Sequence, residues 1–342
     1  MAIAIDAMGG DLAPRSPVWG AAKATREKGI DVILVGDETA IKKELEGCRY
    51  NAKNLEIVHA SQVIGMEESV ITAMRTKRDA SMRVCYNLHK KGEAKGVVSA
   101  GNSGAMLAIG RFVLKTIPGI DRPCISVLLP ALKNKKVLLA DAGANMYCTP
   151  ENLLQFAILG DVYMRHIHSV EYPKIALLNV GEEEGKGDDL TREAYKLLQD
   201  TNLNFGGNIE GKEFFDGELD IVVTYGFAGN VLLKSVQGAA NFVLHTLKQE
   251  IERSFFARIG SVFMKSAFDA LQKRTHYSEF GGAPLLGLRG NGIVCHGVSN
   301  PDAIFFGINF ANWAAKANLV ERMEKQVLEY QNALYDAGEP VG

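Results

Sequence analysis

The feature that most limits what this chain can fold into is a rhythm. Short apolar runs of valine, isoleucine and leucine alternate with longer helical patterns through most of its 342 residues. The runs fall at 1–5, 31–35, 55–59, 96–100, 124–129, 136–141, 174–180, 220–224 and 292–296. Several show little polar alternation, as strands buried on both faces do. Helical periodicity fills the intervals, for example at 16–28, 104–115, 150–166 and 191–200. Such alternation predicts an α/β fold in three layers, α/β/α, around a mostly parallel sheet. No internal repeat or low-complexity linker divides it, so residues 1–342 are read as a single unit.

Composition narrows the function classes. A content of 47 % hydrophobic and 23 % charged residues supplies ample core, and a net charge of −2 gives no general drive toward nucleic acid. The five cysteines are scattered and form no CxxC pair, which argues for a reducing compartment and against a disulfide or zinc framework. No basic leader precedes an apolar stretch, and no apolar run reaches about 18 residues. A cytoplasmic protein that does not span a membrane is expected.

Glycine-rich loops follow most of the expected strands. The first is Asp6-Ala7-Met8-Gly9-Gly10-Asp11-Leu12-Ala13-Pro14, two glycines and two carboxylates delivered to a helix start. Glycine permits close backbone approach, and free amides at a helix N-terminus favour anions. The same grammar recurs at Gly101-Asn102-Ser103-Gly104, at Asp141-Ala142-Gly143-Ala144-Asn145 and at 181–187, which holds Glu182 and Lys186. It continues at 207–211 with Asn208 and Glu210, at 225–230 ending in Asn230, at 281–287, and at 296–300 beginning with His296. One such loop is an ordinary turn. The whole set predicts one enzyme crevice along the carboxyl ends of a parallel sheet.

Absences sharpen the chemistry. There is no GxGxxG, the 181–186 loop is one residue short of a phosphate-loop signature, and Gly101–Gly104 misses the GxSxG elbow by its spacing. No HExxH or paired metal-ligand pattern is present. His276 and His296 are available as acid or base, although a lone histidine is more often structural. The pieces suit an anion held by loop amides, Lys186 and asparagine side chains.

The rhythm breaks from about 230 to 275, where a long helix or helical hairpin is expected, with Gly238 and Gly260 as candidate breaks. Polar residues recur at Ser254, Arg258, Ser261, Lys265, Asp269 and Gln272. The opposite face carries Phe255, Phe256, Ile259, Val262, Phe263, Phe268 and Leu271. This stripe reads either as a core or dimer face or as an interfacial helix on anionic lipid.

The blocks 6–14, 99–105, 179–187, 207–211, 226–234 and 281–288 resemble those of the bacterial phosphate acyltransferases of phospholipid synthesis, the PlsX family, in order and over nearly the whole chain. The resemblance implies transfer of a fatty acyl group from acyl carrier protein (ACP) to inorganic phosphate. It implies an isocitrate/isopropylmalate dehydrogenase-like fold, a homodimer, no metal or nucleotide cofactor, and peripheral membrane association. On that reading Lys186 and the amides around Gly9, Gly10, Asn102, Ser103 and Gly104 hold phosphate. Asn208 and Asn230 are candidate donors to the oxyanion or to the pantetheine amides. Asp6, Asp11, Asp141 and Glu210 orient these donors, with Asn145, Glu182 and His296 also lining the substrate site. The protruding 230–275 segment meets the membrane through Phe255, Phe256, Ile259, Val262 and Phe263. Arg75, Lys77 and Arg78 are candidates to meet the acidic carrier, although a basic run of this kind is more often a solvated helix face. Tyr225 and Val298 depart from the family pattern and carry no assigned role. Competing readings are a dehydrogenase on the same fold, a phosphate acetyltransferase acting on acyl-CoA, and a non-catalytic carrier- or lipid-binding module.

Overall fold

The structure, a computed structural model, describes residues 1–266, 268 and 282–336. Asp269, Leu271, Gln272 and His276, named above, and the first residue of the 281–287 loop lie outside the described residues. Strands β1 (Ala2–Asp6), β2 (Val32–Gly36), β3 (Leu55–His59), β4 (Ala94–Ser99), β5 (Cys124–Pro130) and β6 (Lys136–Ala140) fall on expected runs. So do β7 (Ile175–Leu178), β9 (Ile221–Val223) and β11 (Gly292–Val294). Two further strands, β8 (Phe205–Ile209) and β10 (Ala283–Leu286), lie where glycine loops were expected. All join one eleven-stranded sheet in the order β3-β2-β1-β4-β11-β10-β5-β6-β9-β7-β8.

Helices cover both faces, and strand alternation shows why. In β1, Ile3 and Ile5 pack against α1 (Arg15–Lys28) and α10 (Pro301–Lys316) through Val18, Ala21, Ile304 and Ile308. Ala4 points the other way, toward Met82 and Tyr86 of α4 (Ser81–Lys90) and Met106 of α5 (Ser103–Leu114). In the second half, Leu138, Ile175 and Leu177 meet Leu153, Phe156 and Leu159 of α6 (Pro150–His168). Leu139, Ala176 and Val222 face the opposite side with Leu233. Phe156 is fully buried, so its truncation to alanine costs about 3–5 kcal/mol. The helices start where side chains cap them. Thr149 and Asn152 form a capping box on α6, Asp188 caps α7 (Asp189–Gln199), and Asn300 with Pro301 opens α10.

The sheet is mostly parallel but reverses in the middle. β10 runs antiparallel to both β11 and β5, and β5 runs antiparallel to β6. In consequence β6, β7, β8 and β9 run opposite to β1, β2, β3, β4 and β11. The expectation of one rim made by all the carboxyl ends therefore fails. The glycine loops form two sets, at opposite strand polarity, and a helix links them.

That helix is α8 (Gly226–Arg253), which leads into α9 (Phe255–Phe263). It passes through Gly238 without interruption, and Gly260 lies inside α9, so neither glycine is the break. Open space surrounds both glycines, and the cost of an exposed helical glycine, about 1 kcal/mol, is small. The break falls at Ser254, whose backbone is extended and whose Oγ accepts the Ala257 amide at 3.3 Å, the bond of a serine N-cap. Phe242 and Val243 on α8 and Phe255, Phe256, Ile259 and Phe263 on α9 are exposed. Among the described residues, no helix is long and apolar enough to cross a membrane.

Candidate active site

The loop after β1, the start of α5 and the loop after β11 meet at one point. Asp6 ends β1 as a buried carboxylate that accepts Ser81 Oγ at 2.6 Å, Ser99 Oγ at 2.7 Å and the Met8 amide at 3.2 Å. Burial pushes its carboxyl above the ordinary aspartate range, and these donors offset part of that. Gly9 has no room for a side chain: a Cβ would stand 2.5 Å from Asp6 Oδ2 and 2.8 Å from the Gly101 nitrogen. Gly10 takes φ +99°, and the next amide, of Asp11, donates to the Gly297 carbonyl at 2.8 Å.

Asn102 is spent on architecture. Its Oδ1 caps α5 through the Ala105 amide at 3.0 Å, and its Nδ2 donates to the Met66 carbonyl at 2.8 Å, pinning the 65–68 segment beside the site. Ser103 and Gly104 follow it as the exposed first turn of α5, where helix amides favour an anion. His296 lies opposite. Burial and then Lys234, whose Nζ is 3.4 Å from Nε2, push the imidazole below its ordinary value, while Asp11 pulls it up. Cys295, adjacent in sequence, is buried with its thiol pushed up to about 12, so it stays protonated and is a poor nucleophile.

The second set centres on Asp141. This fully buried carboxylate accepts the amides of Ile125, Gly143 and Ala144 on Oδ1, and the amide and Nδ2 of Asn145 on Oδ2, at 2.7–3.1 Å. Burial nevertheless leaves its carboxyl above the usual range. Asn145 Nδ2 also donates to the Pro123 carbonyl at 2.9 Å. The first turn of α8 rests on this loop: the Gly226 amide donates to the Asn145 carbonyl at 2.8 Å, and Asn230 packs over Gly143. One helical turn separates Asn230 from Lys234, so α8 touches both sets.

Residues 1–322 match the profile of a family described as "Fatty acid synthesis protein". A phosphate acyltransferase from Geotalea daltonii is 48 % identical over 331 residues, covering 96 % of this chain and 95 % of that relative. A phosphate acyltransferase from Geobacter sulfurreducens is 45 % identical over 336 residues, with 96 % of each covered. The chain belongs to the phosphate acyltransferase family. In fold it is similar to a phosphotransacetylase from Streptococcus pyogenes, with a TM-score of 0.62 at 18 % identity over 93 % of this chain and 94 % of that one. It is also similar to a 4-hydroxythreonine-4-phosphate dehydrogenase from Klebsiella pneumoniae, with a TM-score of 0.54 at 13 % identity over 92 % and 99 %.

The remaining expected residues of this phosphate acyltransferase gather beside β7 and β8. Lys186 is exposed and its position is set by its own loop: its carbonyl accepts Asn179 Nδ2 at 3.0 Å, and its amide donates to the Glu183 carbonyl at 3.1 Å. Asn208 Nδ2 donates to the same Glu183 carbonyl at 3.0 Å, which commits that nitrogen to holding the lysine loop. Glu210 pairs with Lys212 at 2.8 Å, and Glu182 is raised by the neighbouring Glu213 carboxylate. Sequence reasoning missed Lys234 as a site residue, and also Ser81, Ser99 and the 65–68 segment. Only Lys234 carried a usable signal, since it stands four residues from Asn230 and shares its helical face.

Proposed function

We propose that this phosphate acyltransferase moves a long-chain fatty acyl group from acyl-ACP to inorganic phosphate, giving the acyl phosphate used in phospholipid synthesis. The observation that carries the reading is the junction at His296. Exposed first-turn amides of α5, the Gly9–Gly10 turn and the Lys234 ammonium surround one point, next to a thiol that stays protonated. That is a cradle for an oxyanion in which the neighbouring thiol is unavailable as a nucleophile.

The chemistry balances with phosphate as the attacking group. An oxygen of hydrogen phosphate adds to the thioester carbonyl, and the tetrahedral oxyanion collapses with cleavage of the carbon–sulfur bond. The proton carried by phosphate passes to the departing thiolate, which yields acyl phosphate and free carrier thiol. His296, held below its ordinary pKa, is neutral near pH 7 and suited to relay that proton. Positioning two reactants in line supplies several kcal/mol, and prearranged donors supply about 2.7–4 kcal/mol each.

Finer assignments extend this reading. Lys186 approaches the phosphate from the β7 loop, Asn230 donates to the oxyanion or to the pantetheine arm, and Asn208 positions the Lys186 loop. The acidic residues Asp6, Asp11, Asp141, Glu182 and Glu210, with Asn145, orient the donors, since a bare carboxylate repels phosphate. The chain acts as one catalytic unit of isocitrate/isopropylmalate dehydrogenase-like arrangement and as a homodimer in the cytoplasm. Its α8–α9 segment projects and docks peripherally on anionic membrane. Exposed Phe255, Phe256, Ile259 and Phe263, flanked by Arg253, Arg258 and Lys265, support that docking.

The test is phosphate-dependent release of carrier thiol from a long-chain acyl-ACP. Lys186→Ala and Lys234→Ala should each remove most turnover while leaving the fold intact. Absence of phosphate-dependent release by the wild type overturns the reading. Acetyl-CoA as the better acyl donor makes the chain a phosphate acetyltransferase instead.

A further inference from the structure

Helices α3 (Val70–Thr76), α4 and α5 present a surface whose charge is one-sided. Across residues 69–92 the only acid is Asp79, and across 101–120 there is none. Asp79 is itself engaged, accepting Ser61 Oγ at 2.6 Å and the Ser61 amide at 2.7 Å. Basic residues crowd the same surface. At its centre is Phe112, 55 % exposed, with Arg83 and Lys115 each 5.5 Å from its ring. Arg83 also donates to the Met74 carbonyl at 3.1 Å, which ties the α3 end of the surface to the Phe112 end. Arg75, Arg78 and Arg111 are exposed around them. These three arginines form no salt bridge among the described residues, whereas Lys77 is locked to Glu68 at 2.6 Å.

The surface is continuous with the active site. On α5 the exposed positions Gly104, Arg111 and Phe112 follow a helical stripe that starts at the anion-favouring first turn, and exposed Lys115 follows at the C-cap. Val70 of α3 lies against Gly104, so the α3–α5 seam leads from the site to the basic patch. Nine residues of helix, about 14 Å, separate Ser103 from Phe112. Between them the stripe holds Gly104 and Ala108 and then Arg111, so the stretch nearest the site is low enough for an extended arm to lie along.

We infer that this α3–α4–α5 surface is where the acidic carrier protein docks, with Arg75, Arg78, Arg83, Arg111 and Lys115 meeting its carboxylates and Phe112 its apolar side chains. The inference rests on the acyl-ACP reading above and adds the place and direction of approach. The carrier body sits on the patch, and its prosthetic arm runs along the α5 stripe to deliver the thioester beside His296. Rim charges of this kind act mainly on encounter rate and salt sensitivity.

The test uses the full chain, fluorescently labelled holo-ACP and a long-chain acyl-ACP. The triple variant Arg75→Glu/Arg78→Glu/Arg111→Glu should weaken holo-ACP binding at least tenfold in anisotropy and raise KM for acyl-ACP comparably, with kcat nearly unchanged. The steep salt dependence of wild-type binding should flatten in the variant. Phe112→Ala, a milder change, should weaken binding by several-fold without altering the melting temperature. Lys316→Glu, an exposed charge reversal on α10, should leave binding unchanged. If the folded triple variant binds holo-ACP as wild type does, the docking surface is wrong while the acyl-ACP reading stands. If wild type fails to release thiol from acyl-ACP, that reading falls and takes the docking inference with it.

Discussion

Asp141→Ala makes the sharpest test of the structural reasoning. The carboxylate is fully buried and gathers five donors from Ile125, Gly143, Ala144 and Asn145. Alanine leaves all of them without their acceptor. At about 1 kcal/mol per orphaned buried donor the loss is about 5 kcal/mol, and relief of the buried charge returns part of it, so about 3–5 kcal/mol is expected. For 342 residues the unfolding entropy is about 0.7 kcal/mol/K, which converts that loss to a fall of about 4–7 °C in Tm. The loop also seats the first turn of α8, so turnover per folded molecule should fall with stability. The pH dependence has a definite sign. Burial raises the native carboxyl above 3.8, so the native state binds the proton more tightly than the unfolded chain. Wild-type stability from this group is therefore present at low pH and lost as pH rises through the raised value. The gap between wild type and Asp141→Ala should widen as pH falls from 7 toward the ordinary aspartate range. Paired thermal melts at several pH values would measure this. A variant melting within 1 °C of wild type at every pH would refute the idea that Asp141 organises the loop.

Lys234→Ala should raise the pKa of His296 toward its ordinary value, read from the imidazole proton shifts, and move the acid limb of the activity profile to higher pH. Unchanged His296 titration would separate the lysine from the histidine. Gly9→Ala forces a Cβ against Asp6 Oδ2 and the Gly101 amide, so it should cost about 1–3 kcal/mol and reduce phosphate affinity. A variant of normal Tm and normal KM for phosphate would show that the turn can yield. Phe263, 84 % exposed, should be needed for binding anionic liposomes. Equal co-sedimentation of Phe263→Glu and wild type would discard the lipid role of α9.

Much of the fold was readable because its strands are buried on both faces. Runs such as 31–35 and 136–141 carry the signal in their own side chains. The two missed strands lack it. β8 holds Gly206 and Gly207, the latter at φ +93°, and it becomes a strand by pairing with β7. β10 contains Pro284, which discourages a central strand, yet its register with Ile293 of β11 and its antiparallel course let it bridge the two halves. The sheet reversal that follows is a matter of pairing between distant segments, and no local pattern encodes it. For the same reason the loops were recognised individually, but their division into two sets was not. Asp141 was read as a carboxylate that orients donors, and it does gather amides of its own loop and of Ile125, whereas the Asn102 side chain, whose tie to Met66 spans distant segments, gave no local sign of that partner.

The reversal of strand direction leaves a single rod spanning the molecule's chemistry. Asn230 and Lys234 sit near the root of α8, and about 28 Å of further helix carries the chain from Lys234 to Arg253. Lys234 beside His296 and the exposed apolar residues of α9 are thus joined by one continuous helix and a single serine-capped break at Ser254.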